Sequence, residues 1–357
     1  MGASDVEHLH QLAVHAYYVG EHEVGRRACE RLLGEQLTPE REAVVRRNRT
    51  WYTRRLGDLA DVRHQRIDVP PARTEWTLFN PSIVKVGGGY DLLVRSSNYR
   101  MVDGRYVTPP EDGGRIRTEN VLASLDADLR VVGEPRVIHV EYPRSDYPVD
   151  GLEDCRLNYH GLCENGLGTT ISATVRNWGG MDGNARIATA DLPGFIARPT
   201  LLPEPRPGRH EKNWMPLLGR HEYVYSCHED GRVVVAREQD GRWVLEPRGT
   251  SPAIARGWRG GSQLIECDEG WVALIHEVAD DDGRRVYEHR FVWFDDALNV
   301  VGYTRPFSFQ ETRTIEFAAG IAWHGDDRLV CTYGVRDEEA WMASVDYCDI
   351  VAHWTHA

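Results

Sequence analysis

Short apolar runs alternate with tight turns through most of this 357-residue chain. The repeating unit is an apolar run, a turn of Gly, Asp or Asn, a second apolar run, and then a looser stretch that leads into another such pair. It opens near Ser82 (SIVKVGGGYDLLVR), Asp154 (DCRLNYHGLCENGLGTTISATVR), Lys212 (KNWMPLLGRHEYVYS), Gly261 (GSQLIECDEGWVALIHEV) and Phe317 (FAAGIAWHGDDRLVCTYGV). The second pairs read NVLASLDADLRVV, ARIATADLPGF, RVVVAREQDGRWVLE, HRFVWFDDALNVV and WMASVDYCDIVAHW. Alternation with a period of two predicts strands, so each copy predicts four. One four-stranded sheet cannot bury both of its faces, and repetition at roughly 40–50 residues therefore implies sheets stacked around an axis. The expected fold is all-β, a five-bladed β-propeller with a small N-terminal α-helical extension.

The openings lie 72, 58, 49 and 56 residues apart, so the surplus residues belong to loops. Turns within the hairpins are short (87–89, 126–128, 219–221, 268–270 and 326–327). The long segments, 97–117, 141–152, 203–211, 248–259, 278–286 and 304–315, connect hairpin to hairpin or blade to blade. In a meander these emerge together, so one face is elaborated, and loops on a rigid scaffold are where function resides. Before the repeats, residues 5–34 carry apolar or small residues at helical spacing and predict two helices joined at Gly20. Ala13, Tyr17, Gly20 and Ala28 resemble a tetratricopeptide repeat. A third helix is expected over Pro39–Leu56, with proline near its start. The divisions are a helical cap at 1–60, a linker at 61–75 containing Pro70 and Pro71, and the propeller at 76–357. A single repeat is too short for a free-standing solenoid. The helices are read as a cap on the propeller, with a homo-oligomer contact or a protein partner as the other uses of that surface.

Charge narrows the ligands. With 42 basic against 55 acidic residues the net charge is −13, which argues against nucleic acid and anionic membranes as partners. No apolar run is long enough to span a bilayer, the N-terminus is acidic, and seven cysteines show no close pairing, so a cytoplasmic location is expected. Only Lys85 and Lys212 are lysines; every other basic residue among the 42 is arginine. An ammonium and a guanidinium are not interchangeable at a shaped site, so a retained lysine at the start of a blade, Lys212, is notable.

In a propeller the innermost strands converge, and their starting ends bring distant residues onto one ring: Asn80, Glu153, Asp154, Arg156, Lys212, Asn213, Arg259, Ser262 and Glu316. Returning strands add Arg95, Arg176, His228, His276 with Glu277, and Asp337 with Glu338. Any one of these could equally tie blade to blade, notably Glu153, Glu316 and Glu338. Together they suit a polar, multiply hydroxylated ligand. Aromatic residues in the long segments, including Tyr99, Tyr106 and Tyr287, offer faces for sugar rings. No His or Cys pair has zinc spacing, so no metal is expected. The glycines of VGGGY are a hairpin turn without a following helix, not a phosphate loop.

FNPSI with Arg95 downstream, GLEDCR, EKNWMP, WRGGSQ, IHE and YGVRDEEA resemble the blade openings of glycoside hydrolase family 130, over about residues 76–350. That resemblance implies a five-bladed propeller that cleaves a β-mannoside-like bond with inversion, by phosphorolysis or hydrolysis, on a small-molecule glycoside. It implies no cofactor, with inorganic phosphate as co-substrate in the phosphorolytic case. It places the catalytic acid at Asp154, with Cys155 where the family has proline, and phosphate contacts at Lys212, Arg259 and His228, the last where arginine is usual. Asn80, Arg95, Arg156, Asn213, His276, Tyr287 and Asp337 fall at substrate-binding positions. Asp154 must then stay protonated near neutral pH. Glu211, Glu277, Glu316 and Glu338 are the candidate bases for a water nucleophile. Two other readings stay open on the residues: a tailoring enzyme of specialised metabolism using the same pocket, and a noncatalytic sugar-binding scaffold.

Overall fold

In a computed structural model, which describes residues 3–102, 104–142, 147–163, 166–176, 178, 183–192 and 194–357, the period-two runs form five largely antiparallel sheets of four to eight strands. Sheet one contains Thr77–Val86, Gly89–Ser97, Ile116–Leu125 and Val131–Val137. Sheet two contains Glu153–Cys163, Gly166–Val175, Arg186–Asp191 and Thr200–Leu201. Sheet three contains Met215–Pro216, Glu222–Glu229, Arg232–Gln239 and Arg242–Thr250. Sheet four starts with two short segments, Arg259–Gly260 and Ile265–Cys267, and continues through Gly270–Asp281, Arg284–Phe294 and Val300–Thr304. Sheet five contains Glu316–His324, Arg328–Val335, Glu339–Asp346 and Val62–Arg66.

Alternation decides which neighbour each side chain meets. Ile83, Leu92 and Val94 pack with Val330 and Met342 of sheet five, whereas Val84 and Leu93 pack with Leu157 and Ile171 of sheet two. Trp271, Ala273 and Ile275 pack toward sheet three, and Val272 and Leu274 pack toward sheet five. Ile187 of sheet two meets Trp214 and Tyr223 beside sheet three. Each sheet thus buries both faces, and the chain of neighbours returns from sheet five to sheet one.

Polar contacts follow the same cycle at the innermost strands. Leu157 N donates to Ser82 Oγ at 2.9 Å, and Asn158 Nδ2 donates to Leu217 O at 3.3 Å. Leu264 N donates to Pro216 O at 2.8 Å. Gln263, fully buried, donates through Nε2 to Ile83 O at 2.6 Å and to Ile321 O at 2.7 Å, so one amide joins sheets one, four and five. Thr332 Oγ1 closes the cycle by donating to Pro81 O at 2.7 Å. At Gly320 a Cβ would come within 2.5 Å of Ile83 N, so only glycine lets sheet five approach sheet one this closely.

The head comprises α1 (Ala3–Tyr18), α2 (His22–Leu33) and α3 (Pro39–Thr50). Thr38 caps α3, its hydroxyl accepting from Arg41 N, and Pro39 occupies the first turn. Ala28, Cys29, Leu32, Leu33, Val45 and Tyr52 share one core with sheets three and four. A buried ion network adds to it. Arg49 of α3 donates to Glu277 Oε2 at 2.7 Å and pairs with Glu288, and Arg290 donates to Glu277 Oε1 at 2.7 Å and to Glu30 Oε1 of α2 at 2.8 Å.

Three expectations change. The stretch 61–75 was expected as a linker, but Val62–Arg66 is the fourth strand of sheet five, paired with Glu339–Asp346. It takes the place assigned to the end of WMASVDYCDIVAHW. There Asp346 accepts a hydrogen bond from Asp349 N and starts a short helix, Tyr347–Val351, after which Trp354–His356 pairs with sheet four. Residues 278–286, expected as a loop, instead extend two strands to a tight turn at Asp282–Gly283, because Val278 to Asp281 stay in register with Tyr287 to Arg284. Among the described residues no helix is long and apolar enough to cross a membrane.

Replacing Gln263 by Leu leaves the carbonyls of Ile83 and Ile321 without this donor; we expect a loss of about 2–3 kcal/mol in denaturant unfolding, with an unchanged m-value.

Candidate active site

Two β-bulges prepare the cavity floor. The register of Thr77–Val86 shifts between Phe79 and Ser82, and that of Glu153–Cys163 shifts between Glu153 and Arg156. Asn80 and Asp154 occupy these bulges with φ of +47° and +48°. Asn213, just before the first strand of sheet three, and Asp337, in the turn between the second and third strands of sheet five, have φ of +62° and +57°. Asn and Asp tolerate the left-handed region better than other non-glycine residues. Four such positions on one cavity turn short polar side chains inward, at a cost met by the surrounding sheets.

The cavity has a volume of about 740 Å³. Nine of the expected site residues line it: Asn80, Arg95, Asp154, Lys212, Asn213, Arg259, His276, Tyr287 and Asp337. Two do not. Arg156 is buried and donates to the carbonyls of Gly261 at 2.6 Å, Gly260 at 3.3 Å and Asp154 at 3.1 Å. It braces sheet two against sheet four, and burial lowers its pKa to about 10. His228 lies off the cavity toward the far end of Glu222–Glu229, its Nδ1 3.2 Å from Ser251 Oγ, and burial with Arg256 nearby lowers its pKa. The imidazole therefore does not complete a cation cradle.

Arg176 and Arg285 supply the cations that His228 does not. Both line the cavity, and both, with Arg259, act on the ammonium of Lys212. Burial first, then Arg259 and Arg176, hold the pKa of Lys212 below the usual lysine value. Among the described residues Lys212, Arg259 and Arg285 have no carboxylate within ion-pair distance, and Arg176 reaches only Glu153, at 4.0 Å. Such a cluster of positive groups attracts an anion. Arg285 carried no motif; it comes to the cavity only because the sheet-four hairpin extends. Arg46 of α3 also lines the cavity and was missed, since nothing in the repeat pattern ties the head to the ring.

The carboxylates are differentiated by their partners. Burial pushes the Asp154 carboxyl up, but Arg95, whose Nη1 donates to Oδ1 at 2.8 Å, Asn80, whose Nδ2 donates to the same oxygen at 2.8 Å, and the charge of Arg156 together hold it below its ordinary value. These partners oppose the expected protonated state of Asp154. Burial raises Glu153 despite its contact with Arg95 at 3.3 Å. Burial also raises Asp337 to about 6, against the pull of Arg95 and with the push of Asp154; Tyr99 donates to its Oδ2 at 3.0 Å. His276 is kept neutral by burial and by His289, Arg259, Arg156 and Lys212, and it stacks on Tyr287 with ring centroids 5.3 Å apart.

None of the four carboxylates considered as bases lines the cavity. Glu277 is held by Arg46, Arg49 and Arg290. Glu316 accepts from the backbone of Phe309, Gln310 and Glu311, and burial raises its pKa to about 7. Glu211 accepts from Trp214 Nε1 and Tyr225 OH. Among the described residues no group of three His, Cys, Asp or Glu could hold a metal ion.

No family model matches the sequence. No curated protein matches it either. Solved structures do. A β-1,2-mannobiose phosphorylase from Listeria innocua aligns with a TM-score of 0.53 at 16% identity, over 82% of this chain and 99% of its own. A mannose phosphorylase from Leishmania mexicana in complex with phosphate aligns with a TM-score of 0.51 at 14% identity, over 84% and 93%. A glycoside hydrolase of the GH130 family of mannoside phosphorylases, one that targets β-1,2 mannosidic linkages in Candida mannan, aligns with a TM-score of 0.51 at 16% identity, over 82% and 96%. The fold is GH130-like. At these identities the likeness concerns the backbone, and the chemistry must be argued from the side chains.

Because the folded pKa of Asp337 lies above the usual aspartate value, its protonated form favours the fold at low pH, and that contribution is lost as pH rises through about 6. Asp337→Asn should therefore raise Tm by about 2–4 °C at pH 8 and give no advantage below pH 4, as read by thermal melts across pH.

Proposed function

We propose that the five sheets form a five-bladed propeller and that its cavity cleaves a β-mannoside-like bond by inverting phosphorolysis. The observation that carries this reading is the cluster of Lys212, Arg259 and Arg285, with no carboxylate within ion-pair distance among the described residues, joined by Arg176 and within electrostatic range of Asp154. A phosphate nucleophile needs cations to hold it and no strong base. Water would need a base; of the four glutamates first considered for that task none lines the cavity, and Glu277, Glu211 and Glu316 are committed elsewhere. The GH130-like fold agrees with this choice, since phosphorylases are among its structural neighbours.

In the reaction, the oxygen of phosphate attacks the anomeric carbon while the bond to the leaving oxygen breaks, and Asp154 delivers a proton to that oxygen. Arg95 and Asn80 favour the anionic carboxylate, so proton uptake by Asp154 requires the ligand's own charge and its exclusion of water. Added phosphate charge and exclusion of water both raise a carboxyl pKa. Neutral His276 and Tyr287 offer uncharged partners to sugar or phosphate oxygens, and Asn80, Asn213 and Asp337 offer hydrogen bonds to hydroxyls.

Two variants test the reading. Asp154→Asn should lower kcat by about 10²–10⁴-fold while sugar affinity persists; full turnover in that protein would remove the acid. Lys212→Met should raise the KM for phosphate roughly 10–100-fold and change the glycoside KM little. Release of mannose 1-phosphate from a β-mannoside panel, monitored with and without phosphate, separates phosphorolysis from hydrolysis, and release of mannose without phosphate would overturn the choice made here.

A further inference from the structure

We propose that the helical head is a wall of the ligand site and that Arg46, on α3, is a specificity-determining residue that donates hydrogen bonds to sugar hydroxyls; the identity of the sugar rests on the mannoside reading above. Ala43 and Arg46 lie three residues apart, on one face of the helix, and both line the cavity. Attachment of the head does not require this. Arg49, buried and paired with Glu277 and Glu288, already fastens α3 to sheet four, and Arg47 pairs with Asp282 at the hairpin tip.

The chemistry of Arg46 differs from that of the other cavity cations. Its Nε and Nη2 donate to Glu42 Oε1 at 2.9 and 2.7 Å, and its Nη1 donates to Glu277 Oε2 at 3.1 Å. Two carboxylates therefore offset its charge and orient it, and the guanidinium lies against Gly257, where an added Cβ would come within 2.2 Å of both terminal nitrogens. A guanidinium has five N–H donors. Three are used in these contacts, which leaves two with no protein acceptor among the described residues. A neutralised, oriented donor pair is matched to neutral hydroxyls, whereas Lys212, Arg259 and Arg285, without carboxylate partners among the described residues, are matched to an anion. On this proposal the head adds a hydroxyl-reading group to a cavity whose cations come from sheets two, three and four.

The test uses the full-length protein with Arg46→Met, which keeps the stem and removes the donors, alongside Arg46→Lys and Gly257→Ala, which shifts the guanidinium without removing it. Steady-state kinetics with β-1,2-mannobiose and phosphate, and calorimetric titration of mannobiose and of inorganic phosphate separately, supply the readouts. Expected for Arg46→Met is an increase of about tenfold in KM and Kd for the sugar, with kcat and phosphate affinity within twofold of wild type. Arg46→Lys should recover part of the loss, and Gly257→Ala should reproduce it in part. An equal loss of phosphate affinity would make Arg46 an anion ligand and overturn the proposal. Unchanged sugar affinity, or a fall in kcat and Tm together, would make it a brace and overturn it as well. If the wild type turns over no mannoside yet binds mannobiose, the phosphorolysis reading fails and the calorimetric comparison still decides the role of Arg46; no sugar binding at all would end both.

Discussion

Backbone groups buried at the centre of the molecule must find partners, and the five innermost strands supply them to one another. Ser82, Asn158, Gln263 and Thr332 each carry a buried hydrogen bond from one sheet to the backbone of the next. An unsatisfied carbonyl there costs far more than a made hydrogen bond returns, so these contacts specify one arrangement. With the strands held at a common centre, the bulges at Asn80 and Asp154 are forced into the left-handed region and their side chains point into the same space. The strain is local, and the support is spread over five sheet interfaces.

Charge is sorted within that space. Toward sheets one and five, Arg95 is shared by Asp154 and Glu153, and Asp337 sits close to neutrality with Tyr99 as its donor. Among the described residues Lys212, Arg259 and Arg285 stand without a paired carboxylate, and the repulsion of Arg259, Arg176 and Arg285 together with burial weakens the hold of Lys212 on its proton. An anion there would relieve that repulsion, which is the electrostatic basis of the phosphate site proposed above. On that proposal the same anion brings negative charge toward Asp154, which favours its protonation.

The helical head belongs to this design through sheet four. Glu277 lies next to His276 on one strand and is clasped by Arg46, Arg49 and Arg290, while Glu30 joins α2 to Arg290. Removing Arg49 or Arg290, the fully buried arginines of this set, would leave an uncompensated charge. The head therefore cannot be loosened without disturbing the strand that carries His276 and the hairpin that carries Arg285 and Tyr287.

Period-two alternation determined the five sheets from the amino-acid order alone, because strand faces follow from chain geometry whatever the partner. Motif positions likewise located Asn80, Arg95, Asp154, Lys212, Arg259 and His276 in one cavity, since the strands that carry or follow them converge there. Tertiary structure decided what depends on distant segments meeting. Val62–Arg66 completes sheet five because the last repeat turns into a helix at Asp346. His228 misses the cavity and Arg156 is spent on carbonyls of sheet four, while Arg285 and Arg46 arrive through an extended hairpin and a docked helix. The charge state of Asp154 was equally hidden, because it is the sum of burial and three neighbours drawn from separate parts of the chain, and no spacing along the sequence encodes that sum.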